Sequence, residues 1–251
     1  VKRFTLTLIS VFILASLVLG ACASSGSQAP LKVVTDASWP PFEMVNESTK
    51  ALEGFDVDLI KAIADKESMN IDIQNVPFDP LLAGMGTCQY DIAISAITIT
   101  SDRAQKMAFS DPYFEAGQIV SVSIDNTDIT GPESLAGKTV AAQIGTTGAI
   151  EVQKISGATL KTYDDIGLAF QDLLNGQVDA VVADNPLAIG YVGKNAAKLK
   201  TVGKVFTDEN YGIAVCKNKQ DVLDKINKGL AAVKSEGFLD QLTQKWIESG
   251  Q

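Results

Sequence analysis

The chain has 251 residues, 46% of them hydrophobic and 20% charged, with three cysteines and no histidine. Without histidine there is no Ser-His-Asp triad, Cys-His pair, imidazole base or His-ligated metal site, so catalysis would fall to carboxylates, lysine, tyrosine or cysteine. The 21 Lys and Arg against 30 Asp and Glu leave a net charge of -9, which argues against a nucleic-acid partner, and the length allows one or two domains with ample core.

In chain order, Lys2 and Arg3 precede an apolar stretch over residues 4–19, and the small residues Gly20 and Ala21 lead to Cys22. This is the pattern of an export signal rather than a retained membrane span. Leu19-Gly20-Ala21-Cys22 resembles a bacterial lipobox. Residues 1–21 are therefore expected to be a lipoprotein signal peptide, Cys22 the lipidated first residue of the mature protein, and residues 22–30 a flexible tether. Beyond it, short apolar strands alternate with amphipathic helices, the signature of an α/β fold. Strands are predicted over 31–35, 71–76 and 91–95, with helices over 56–68 and 80–86. The first helix carries Phe55, Leu59 and Ile63 at i+4 spacing, with Asp56 and Asp58 suited to its positive end. The same order recurs as strand 139–143, helix 147–155, strand 159–163, helix 165–175 and strand 180–183.

The recurrence has a trace in the residues themselves. Gln89-Tyr90-Asp91-Ile92-Ala93-Ile94 matches Gln177-Val178-Asp179-Ala180-Val181-Val182 in pattern, which suggests two similar α/β lobes. The alternation breaks at Phe109-Ser110-Asp111-Pro112-Tyr113, and an extended run follows over 119–123. A polar stretch, Thr207-Asp208-Glu209-Asn210, leads to a strand over 211–215 and helices over 221–234 and 238–248. If those helices return to the first lobe, two segments connect the lobes, an arrangement suited to hinge closure.

Four motifs in order now carry a specific resemblance: Val33-Val34-Thr35-Asp36-Ala37-Ser38-Trp39-Pro40-Pro41-Phe42-Glu43, Gly54-Phe55-Asp56-Val57-Asp58-Leu59, Ile97-Thr98-Ile99-Thr100-Ser101-Asp102-Arg103 and Phe109-Ser110-Asp111-Pro112-Tyr113. With Gly145-Thr146-Thr147-Gly148 and Asp184, the chain resembles family 3 of the bacterial extracellular solute-binding proteins, the polar amino-acid receptors of ABC importers, over residues 31–248. The resemblance implies a two-lobed, type II periplasmic-binding-protein fold with the ligand cleft between the lobes. The expected division is lobe 1 over 31–112 and 212–251, lobe 2 over 118–206, and hinge segments over 113–117 and 207–211.

A zwitterionic amino acid needs a cation for its carboxylate and an anion for its ammonium, in a site that excludes water. Arg103 offers a bidentate grip just past a strand edge, with Thr100 as the helix cap, against the alternative of a surface pair with Asp102 or Asp111. Asp184 ends an apolar strand, where it would meet the ammonium or else cap the next helix. Thr98, Ala96, Thr146 and Thr147 lie at neighbouring strand ends, and the Gly145 turn is expected to form an anion pocket from amides and hydroxyls. Trp39 and Phe78 match family positions whose rings sandwich the ligand side chain, though such residues also serve as core. Asp36, with Glu43 as a second candidate, would supply negative charge at the distal end. Gln143 stands where some glutamine-binding relatives have lysine, and Ala96 where glycine is common. The balance points to arginine, then lysine, then glutamine.

The family's fold also implies that Cys88 and Cys216 come together as a disulfide, against two buried free thiols. No catalytic residue, metal or cofactor is expected. The expected partners are an amino acid, the permease subunits of an ABC transporter and, through the lipid anchor, the membrane. The protein is expected to be an exported monomer facing the extracellular or periplasmic side. An enzyme on the same scaffold, such as a dehydratase, and an amino-acid sensor module are the alternatives.

Overall fold

The structure, a computed structural model, describes residues 29–248. The expected signal segment, Cys22 and most of the tether lie outside the described residues. The first half opens with β1 (Leu31–Thr35), followed by a hairpin sheet of β2 (Ser38–Trp39), β3 (Glu43–Val45) and β4 (Leu52–Glu53). Helix α1 (Phe55–Lys66) buries Phe55, Leu59, Ile60, Ile63 and Ala64, the stripe its spacing predicts, and keeps Asp58 in its first turn. Then come β5 (Ile71–Asn75), α2 (Phe78–Gly86), β6 (Ile92–Ala93), the single turn α3 (Ser101–Ala104) and β7 (Ala108–Phe109).

The chain crosses by β8 (Phe114–Ala116) into β9 (Gln118–Ser123), β10 (Thr139–Gln143), α4 (Thr147–Lys154), β11 (Thr159–Tyr163), α5 (Ile166–Leu174), β12 (Ala180–Asp184), α6 (Asn185–Lys194) and β13 (Leu199–Val202). It returns by β14 (Glu209–Tyr211) to β15 (Ala214–Val215), and ends in α7 (Gln220–Ser235), α8 (Phe238–Leu242) and a wider helical turn at Thr243–Glu248. Among the described residues no helix is long and apolar enough to cross a membrane.

Two five-stranded sheets result, ordered β5-β1-β6-β15-β7 and β11-β10-β12-β9-β13. Each has three parallel strands with the first in the middle, followed by an antiparallel fourth. The matched sequence segments occupy equivalent places. Asp91 accepts the Lys32 N–H ahead of β6, and Asp179 accepts the Thr139 N–H ahead of β12, both at 2.7 Å. In each sheet this carboxylate fixes where the third strand joins the first.

The strand expected over 211–215 is two strands in two sheets. β14 pairs with β8, joining the two crossing segments, whereas β15 enters the first sheet between β6 and β7. The break falls at Gly212, where an added Cβ would lie 2.7 Å from the Ile99 side chain. The strand expected over 91–95 is also shorter, because Ser95 and Ala96 turn out of the sheet, Ala96 with a φ of 45°.

Pairing of Val215 with Ile92 places the ends of β6 and β15 side by side, and Cys88 and Cys216 are joined as a disulfide. The bridge spans 128 residues of sequence. Replacing both cysteines with serine is expected to lower the unfolding free energy by about 4–5 kcal/mol at most in the chain-entropy account. Denaturant unfolding checks this, and wild-type protein in reductant should match the double variant.

Candidate functional site

The carboxyl ends of the parallel strands in the two sheets face each other, the position at which open α/β sheets present ligand sites. β1 leads to Asp36 and β6 runs into Ser95 and Ala96; across from them β10 leads to Thr146 and Thr147, and β12 ends at Asp184. These residues, with Trp39, Phe78, Thr98 and Arg103, line one narrow cavity. The walls lie so close that the volume open to water-molecule centres is about 10 Å³, on the order of a single water.

Thr100 caps α3 by accepting the Arg103 N–H at 3.2 Å, which fixes the direction of the arginine. The guanidinium donates to Thr98 O at 2.7 Å on its own side and to Gly145 O at 3.0 Å across the cleft, and lies 5.4 Å from the centre of the Phe78 ring. It is therefore a buried interlobe group and not a surface partner of Asp102 or Asp111. Burial lowers its pKa, an effect opposed by the charges of Asp184 and Glu209.

Asp184 occupies the cap position of α6, yet its side chain makes no capping bond. Its carboxylate instead accepts from Gln118 Nε2 at 2.7 Å and the Tyr211 hydroxyl at 2.5 Å. Burial, with the nearby charge of Glu209, raises its pKa from 3.8 to about 6, against the opposing hydrogen bonds of Tyr211 and Gln118.

Glu209 is the group that sequence reasoning missed. It stands on β14 and accepts from Thr98 Oγ1 at 2.6 Å, Thr147 Oγ1 at 2.8 Å, Thr207 Oγ1 at 2.8 Å and Gln118 Nε2 at 3.1 Å. Its polar neighbours in sequence mark a loop, and only the pairing of β8 with β14 turns the carboxylate inward. Gln118 and Ser95 were missed for the same reason, since neither carries a motif of its own.

The threonines around the Gly145 turn behave differently from expectation. Thr146 Oγ1 donates to Gln143 O and accepts the Ala149 N–H, while Thr147 Oγ1 donates to Glu209. The hydroxyl protons are thus already directed at protein acceptors, and Gly145 presents a carbonyl to Arg103. What the turn retains for an anion is the N–H groups of Thr147 and Gly148 at the start of α4, since that of Ala149 is taken by Thr146. Thr98 and Thr147, with their protons given to Glu209, offer only lone pairs, which suit an ammonium.

At the other end, Trp39 and Phe78 form walls beside Asp36, whose pKa is raised by burial despite the hydrogen bond from Gln143. Gln143 is not itself in the lining; it reaches across the cleft to Asp36 at 2.7 Å and also holds Asp164 O at 2.8 Å. Glu43 does not extend the negative end, because it is fully buried behind the cavity and bonded to Ser95.

This set of strand-end residues coincides with a family match. Residues 31–249 fit the model of the bacterial extracellular solute-binding proteins, family 3. The chain belongs to that family. This family 3 protein is 33% identical to a probable histidine-binding protein of Neisseria gonorrhoeae, over 94% of each chain. It also superposes on an ancestral arginine-binding protein bound to arginine, with 41% identity, a TM-score of 0.83, and coverage of 88% of this chain and 99% of the other. The ancestral arginine-binding protein bound to glutamine has the same identity and TM-score, with coverage of 89% and 99%. The family 3 protein is thus a two-lobed receptor of the solute-binding type, not an enzyme.

The elevated Asp184 fixes the sign of one pH effect. Its folded-state pKa of about 6 lies above the ordinary value of 3.8, so the folded protein binds more protons between these values and gains stability as pH falls through them. The ligand-free melting temperature should therefore rise from pH 8 to pH 5, this group contributing on the order of 1 kcal/mol over that range. In Asp184→Asn the rise should shrink, as scanning calorimetry across that range will show.

Proposed function

We propose that this protein captures a cationic amino acid, arginine first, between its lobes and delivers it to the membrane subunits of an ABC importer. The charge balance of the cavity carries the reading. Arg103 is the one cation lining it, against Asp36 and Asp184 in the lining and Glu209 immediately behind. A zwitterion satisfies Arg103 with its carboxylate and Asp184 with its ammonium, which leaves Asp36 without a counter-charge. A guanidinium on the ligand side chain supplies that charge, and the rings of Trp39 and Phe78 flank its path.

The β8 and β14 pair serves as the hinge, with lobe 1 formed by residues 31–112 and 212–251 and lobe 2 by residues 118–206. The protein acts as a monomer, exported by its first 21 residues and anchored through lipidated Cys22 on the outer side of the cell membrane. The uncharged run Ala23-Ser24-Ser25-Gly26-Ser27-Gln28 fits a spacer that lets the lobes reach the permease.

A thermal-shift screen of the twenty amino acids tests the ligand, since one that binds only the folded state raises the melting temperature by mass action. Arginine and lysine should give the largest shifts; a shift for glutamine with none for either would overturn the choice of ligand. By calorimetry, Arg103→Ala should weaken arginine binding about 100-fold or more while retaining a cooperative melt. Asp36→Asn should weaken arginine about tenfold or more and leave glutamine nearly unaffected.

A further inference from the structure

Two fully buried carboxyl groups lie behind the cavity wall, one on each side of a close backbone contact. The Pro41 and Phe42 carbonyls accept the first N–H groups of α1, at 3.1 and 2.9 Å. Gly54 makes that approach possible: at a φ of 133°, an added Cβ would stand 2.1 Å from Phe42 O. The contact sets Glu43, at the start of β3, beside Asp56, in the first turn of α1, close enough that each perturbs the other's titration. Neither belongs to an ion pair among those of the described residues.

The donors around them can be assigned atom by atom. Glu43 Oε1 accepts from Ser95 Oγ at 3.0 Å, and Ser95 Oγ in turn accepts the Asp36 N–H at 2.9 Å. Asp56 Oδ2 accepts the Ala96 N–H at 2.8 Å and the Tyr113 hydroxyl at 2.7 Å. Glu43 Oε2 and Asp56 Oδ1 remain, both buried and without any other donor. Two bare carboxylate oxygens in a dry interior repel each other, and unmatched buried acceptors are rare in native structures. One proton between them satisfies both. It belongs on Glu43, because Asp56 already accepts two hydrogen bonds and sits at the positive end of α1.

We propose that Glu43 and Asp56 share one proton, held by Glu43, and that this pair positions the Ser95–Ala96 floor of the ligand cavity. Ala96 gives the positioning a physical purpose. Its φ of 45° is a conformation that L-residues adopt at a cost, and the Asp56 carboxylate holds its N–H there. Glu43 holds the Ser95 hydroxyl, and through that hydroxyl the backbone N–H of Asp36. The other titratable groups facing the pair are Asp36, Tyr113 and Tyr211. Tyr113 precedes β8, so the same pair connects the cavity floor to the crossing segments. Burial and the mutual repulsion of the two acids raise Glu43 well above the usual carboxylate range.

The positioning role rests on the amino-acid reading of the cavity, whereas the shared proton does not, and the tests separate the two. Infrared spectra of the ligand-free protein at about pH 8, where ordinary carboxyls are ionised, should show a protonated-acid carbonyl band. That band should shift on ¹³C-glutamate labelling and vanish in Glu43→Gln. Lack of the band in wild type, an unshifted band, or its persistence in Glu43→Gln would overturn the shared proton. Glu43→Leu should weaken arginine binding about tenfold, and Glu43→Gln, whose amide can donate to Asp56 and accept from Ser95, should restore it. Equal affinity in wild type and Glu43→Leu, or equal weakness in both variants, would refute the positioning role. Should Glu43→Leu fail to fold, the Glu43→Gln variant carries the binding comparison, and a loss there of tenfold or more refutes the role. If wild type binds no amino acid, the ligand assignment fails and the infrared result still decides the proton.

Discussion

Taking the Arg103 guanidinium out of water carries a penalty of several kcal/mol, and the arrangement around the cavity follows from meeting it. Two backbone carbonyls, one from each lobe, and the face of Phe78 receive the cation directly. Asp184 and Glu209 offset the loss of solvation from a greater distance. These carboxylates are themselves buried and need donors, which Gln118, Tyr211, Thr98 and Thr147 provide. One interior charge thus determines the partners of residues drawn from both sheets and both crossing segments. Neither half of the molecule contains enough of them to hold the charge alone.

The same dependence makes the cavity a site of exchange. Arg103 to Gly145 O and Gln143 to Asp36 are hydrogen bonds between the lobes, made by groups to which the proposed ligand would bind. A ligand that replaces them gains only the difference between its own contacts and those it displaces. Under the proposed reading, selectivity at Asp36 works in this way: an amide is already present in Gln143, so a neutral ligand amide would substitute like for like, whereas a guanidinium would add a charge-assisted pair. The near closure of the cavity also means that an amino acid would enter through separation of the lobes, and the proposed hinge is the pair of short strands that join them.

Sequence patterns make the α/β halves legible because hydrophobic periodicity and strand-end punctuation are local properties. The strands Thr139–Gln143 and Thr159–Tyr163 appear with the ends their apolar and polar residues mark. Asp184 is readable for a related reason, since it ends β12, whereas Thr98 and Arg103 follow β6 by five and ten residues and are marked instead by their Ile97–Arg103 motif and the Thr100 cap. Glu209 and Gln118 are opaque. Their orientation depends on the register of β8 against β14, in which Glu209 faces Ala116, and no local pattern encodes a pairing between segments so far apart. Sequence reasoning misplaces Glu43 toward the ligand because its motif lies beside Trp39. The hairpin sets Glu43 across from Trp39, while the contact with α1 draws its carboxyl to the far side of the cavity wall. The hydroxyls of Thr146 and Thr147 look like donors to an anion, but acceptors elsewhere in the fold claim their protons.

The insertion of β15 between β6 and β7 has a consequence for the order in which the molecule can assemble. All five strands of the second sheet lie within one continuous stretch of chain, so that half can complete its hydrogen bonding as soon as β13 is available. The first sheet cannot. Among the described residues its β7 pairs with β15 alone, which arrives only after the whole of the second half has been made. During export, when the chain emerges from its amino end, the earlier half must wait with an open seam while the later one closes. The Cys88–Cys216 bridge joins the two sides of that seam, so its formation marks the moment at which the last-arriving segment has found its place.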